Sequence, residues 1–227
     1  VTLTEKDSID PLHRGDGLRH TAKAMPSSKL ESPVEGAPDP DALLRHRGAV
    51  VVIAGLGCAI TALGVGSSAG LAASLVFTAM AVWVSAHELV TRSVPRPLVI
   101  SGLVTVVTLQ MAVAIVIAQP RNLVMAIVGA LIGGAVLIAP HLVTTETVTT
   151  EAVLFAALAG AALGWWGPWL VGLGLVIAFV LGALVAGPLT FTRYAGRASF
   201  PVVTLLSMSG WLALVIGPRL ADWYLPT

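Results

Sequence analysis

Two stretches of this chain, 48–86 and 152–192, run for 39 and 41 residues without a single Asp, Glu, Lys or Arg. Each is about twice the roughly 20 apolar residues that a helix needs to cross the hydrocarbon core of a bilayer. In lipid, backbone N–H and C=O groups find no water, so an uncharged segment of this length has to satisfy them internally as helix. Each stretch therefore reads as a hairpin of two crossings. The expected fold is all-α: a polytopic membrane helix bundle of about seven transmembrane helices.

The charges confirm this division. Of the 25 acidic and basic side chains, 15 fall in residues 1–47, which leaves ten for the body, 48–227. The whole chain is 56% hydrophobic and 11% charged. Residues 1–47 are rich in Pro, Ser, Asp, Glu, Lys and Arg and contain no aromatic residue. Such a segment cannot bury enough apolar surface to offset the entropy of ordering, so it reads as a disordered cytoplasmic tail. It has no apolar stretch of the kind a signal peptide needs. The expected domains are thus a tail, 1–47, and a membrane domain, 48–227.

Several function classes fall away. The net charge is +1 and the body carries no basic patch with interleaved aromatics, so nucleic acid is not an expected partner. Cys58 is the single cysteine and sits inside an apolar run, which excludes a disulfide framework and a CxxC zinc pair. It reads as a small packing residue. His13, His20 and His46 lack metal-ligand spacing, and His87 and His141 lie at the ends of spans. No metal and no cofactor are expected.

Turn residues set the spans. The first hairpin divides at Gly66-Ser67-Ser68-Ala69-Gly70, giving spans near 48–66 and 70–87. Span three, near 97–118, ends at Gln119-Pro120-Arg121-Asn122, and span four, near 123–142, carries Gly129 and Gly133 at GxxxG spacing. The polar run 144–151 follows. The second hairpin turns at Trp165-Trp166-Gly167-Pro168, where the tryptophans fit an interfacial belt, and span seven covers about 201–217, before Pro218-Arg219. With the N-terminus cytoplasmic, Arg45, Arg47, Arg92, Arg96, Arg193 and Arg197 face inward, against Arg121 and Arg219 outward. This bias is that of a multi-pass protein of a bacterial-type cytoplasmic membrane with its C-terminus outside.

Within the body, one segment concentrates chemistry: His87-Glu88-Leu89-Val90-Thr91-Arg92-Ser93-Val94-Pro95-Arg96-Pro97. A carboxylate at the mouth of an apolar helix is costly to place and marks a functional site. Glu146 and Glu151 fall on the same expected face. Two carboxylates held together in a low-dielectric site share a proton and can act as general acid and base on water. A competing role for Glu151 is structural: an acid in the first turn of a helix, after Thr150 as N-cap, stabilises the helix dipole.

The segment from Glu88 to Pro95, followed by Leu98-Val99, resembles the first signature of the type IV prepilin peptidases. There a catalytic Asp at a helix end precedes a basic stretch and a Pro-Asn. The helix Val153-Leu-Phe-Ala-Ala-Leu-Ala-Gly160-Ala-Ala-Leu-Gly164-Trp165 resembles the helix after the second signature, and Phe200-Pro201 echoes the opening of the last span. By this resemblance, which covers most of 70–217, Glu88 and Glu151 are the candidate catalytic residues, and Arg92 and Pro95 belong to the substrate loop. The resemblance implies a membrane aspartic-type endopeptidase with a prepilin-like helical substrate or a pilus or secretion component as partner. The cysteine-rich methyltransferase loop is missing, so no S-adenosylmethionine site is implied.

The departures from that pattern bear on activity. Asp is replaced by Glu at 88, Arg96 stands where the Asn would be, and Ala152 occupies the position of the second Asp, with Glu151 one residue early. On a helix that offset turns a side chain by roughly 100°. The readings carried forward are a catalytically impaired peptidase-like protein, a non-catalytic scaffold that binds pilin-like helices, and a small permease.

Overall fold

The structure is a computed structural model and describes residues 46–143, 148–191 and 201–224. The expected tail up to residue 45, Glu146, Arg193 and Arg197 lie outside the described residues. Seven α-helices follow one another: α1 Arg47–Val65, α2 Leu71–Thr91, α3 Arg96–Val116, α4 Pro120–Val143, α5 Thr150–Gly164, α6 Pro168–Phe191 and α7 Val202–Tyr224. All but α5 are long and apolar enough to cross a bilayer. The chain is a multi-pass helical membrane protein.

Proline and glycine punctuate the helices as local chemistry requires. α3 opens on Pro95-Arg96-Pro97, and α4 and α6 begin at Pro120 and Pro168. A first-turn residue has no intrahelical partner for its N–H, so the missing proton of proline costs nothing there. α1 stops at Gly66, whose φ of 69° takes the chain out of the helix into the turn predicted at 66–70.

The centre of the bundle is the shortest helix. Ala152, Phe155, Ala156 and the unbroken run Leu158–Gly164 of α5 are all buried. It packs against α2, α3, α4, α6 and α7. Its 15 residues span only about 22 Å at 1.5 Å each. Protein rather than lipid surrounds it, so it need not match the hydrocarbon thickness.

Small residues make this centre possible. Gly129 and Gly133 on α4 meet a second pair at the same spacing, Gly160 and Gly164 on α5. A Cβ on Gly133 would overlap the carbonyl of Ala156, and one on Gly160 the carbonyl of Gly129. The two backbones are therefore in direct contact, the van der Waals packing that joins helices where lipid supplies no hydrophobic driving force. Phe77 and Phe155, both fully buried, bring α2 onto α5 with ring centroids 6.3 Å apart.

Three expectations about helix ends are corrected. α7 does not stop before Pro218-Arg219 but runs through Pro218 to Tyr224. A proline is tolerated inside a membrane helix because neighbouring groups take up the bond it removes. α4 begins at Pro120 rather than near 123, so Pro120-Arg121-Asn122 form its first turn. The N-cap of α5 is Thr149, not Thr150; Thr149 is extended at ψ 156° and its hydroxyl accepts from the N–H of Ala152 at 3.3 Å.

Candidate functional site

Glu88 lies in the last turn of α2, inside the helix rather than beyond it, and its carboxylate crosses to the start of α7. Oε1 accepts from the N–H of Val203 at 3.1 Å. Oε2 accepts from the N–H of Thr204 and from its hydroxyl, each at 2.6 Å. The first N–H groups of any helix lack intrahelical partners, and an N-cap Ser, Thr, Asp or Asn usually supplies the oxygen. Here the residue before α7 is Pro201, whose side chain has no oxygen to offer, although its carbonyl already accepts from the N–H of Leu205. Glu88 performs the capping from another helix. A carboxylate at that position also meets the positive end of the helix dipole.

The loop after Glu88 is folded back onto α2. Arg92 takes the left-handed conformation, φ 54°, and its N–H donates to the Glu88 carbonyl at 2.8 Å. The Thr91 hydroxyl donates to the His87 carbonyl at 2.8 Å, and the His87 ring nitrogen Nδ1 lies 2.8 Å from the carbonyl oxygen of Ser93. Pro95 is the N-cap of α3 and is half-buried. Arg92 and Arg96 are exposed, and no ion pair holds either of them among the described residues.

At the start of α5, Glu151 is half-buried and has no hydrogen-bond partner among the described residues, while Ala152 is 1% exposed and part of the main apolar cluster. Val84, Val99, Val148, Ala152 and Val203 all belong to that cluster. Glu88 and Glu151 make no hydrogen bond to each other; among the described residues every partner of the Glu88 side chain is on α7. No group of three or more potential metal ligands exists among the described residues.

No family model matches the chain. No curated protein matches it, and no solved structure does either.

The span-by-span sequence reading passed over a set of polar groups inside the helices. Trp211 Nε1 donates to Thr61 Oγ1 at 3.1 Å, and Thr61 Oγ1 lies 3.0 Å from Thr78 Oγ1, joining α7, α1 and α2. Trp166 Nε1 donates to Ser74 Oγ at 3.4 Å. Gln110 on α3, 1% exposed, donates through Nε2 to the Ala161 carbonyl of α5 at 2.9 Å, with its Oε1 unpartnered. Polar side chains of this kind join helices in lipid. The signal was present in the sequence as Ser74 and Thr78 four residues apart and as the one Gln of its span.

Proposed function

We propose that this chain is a prepilin-peptidase-like membrane protein that has kept the helical scaffold and lost the catalysis, and that it serves as a non-catalytic scaffold for a pilin-like helix or a secretion component at the cytoplasmic face. The observation that carries this is the use made of Glu88. A carboxylate has about four lone-pair sites, and three donors of α7 occupy the oxygens of this one. A residue that closes a helix end in this way is a structural element of the fold.

The second position supports the same conclusion. An aspartic dyad needs two carboxylates close enough to share a proton. In the resemblance, the second of these falls on Ala152, which is buried among apolar side chains. Glu151 is the alternative acid, and its place in the first turn of α5 beside the Thr149 cap suits a helix-dipole role. The arginine distribution supports placing the end of α2 and the starts of α3 and α7 at the cytoplasmic face.

The test is incubation of the full chain, reconstituted in vesicles, with a prepilin-like substrate. The expected result is that the substrate stays whole and co-purifies with the chain. Cleavage at the leader that disappears with Glu151→Ala would overturn the reading in favour of an active peptidase.

A further inference from the structure

We draw no further inference here: the strongest candidate, the groove of about 390 Å³ between α1, α2 and α7, has an almost wholly apolar lining, and nothing in the structure shows what covers it.

Discussion

Glu88 Oε2 accepts from both the backbone N–H and the hydroxyl of Thr204, at 2.6 Å each, across 116 residues of sequence. This clamp ties the last turn of α2 to the first turn of α7, where Pro201 cannot cap. Its energetic consequence follows from helix capping: loss of a capping oxygen costs about 0.5–2 kcal/mol.

Glu88→Ala should therefore lower the stability of the folded bundle by about 1–2 kcal/mol, measured by thermal or denaturant unfolding in detergent. Glu88→Gln should fall between Ala and the native residue, because its one oxygen can still accept from Thr204 while its NH2 faces the Val203 N–H, donor to donor. Thr204→Val removes only the hydroxyl bond and should cost less than Glu88→Ala.

The α4–α5 contact gives a second test with a built-in control. Gly160→Ala would drive a methyl into the Gly129 carbonyl and should cost about 1–3 kcal/mol. A Cβ at Gly172 meets nothing within 4 Å, so Gly172→Ala should leave unfolding unchanged or slightly improved. Equal losses at both positions would contradict direct backbone contact between the two helices.

Buried hydroxyls should divide by whether they are partnered. Thr61→Val leaves the Trp211 N–H without its acceptor and should cost about 1–3 kcal/mol. Ser207 is 3% exposed and its Oγ has no partner, so Ser207→Ala should be neutral or stabilising in the same unfolding measurement.

Ala152→Asp tests the second position of the proposed resemblance. The side chain at 152 is enclosed by apolar neighbours, and an unpaired carboxylate there carries a desolvation penalty of several kcal/mol. The expected outcome is a destabilised protein with no gain of cleavage, also when combined with Glu88→Asp. Restored cleavage would mean that the start of α5 opens to accept the acid.

Helix positions were legible because membrane insertion depends on properties a sequence states directly: length without charge, and where Gly and Pro interrupt it. The turn at 66–70 and the helix start near Pro97 follow from those alone. The role of Glu88 was not legible, because its partners belong to a helix start more than a hundred residues away, and nothing local signals that Pro201 leaves donors open. Gly129 and Gly133 announced a close contact, but only the fold pairs them with Gly160 and Gly164. That Trp165 would be buried was not legible either, because the small neighbours that make room for it, Ala114 and Ala126, come from two other helices.

Backbone hydrogen exchange at the start of α7 measures the Glu88 clamp itself. The amides of Val203 and Thr204 should be protected in the native chain and should lose protection selectively in Glu88→Ala, with the rest of α7 little changed. If both amides exchange alike in the two proteins while Glu88→Ala removes a measurable cleavage activity, Glu88 is a catalytic group and the scaffold reading is wrong.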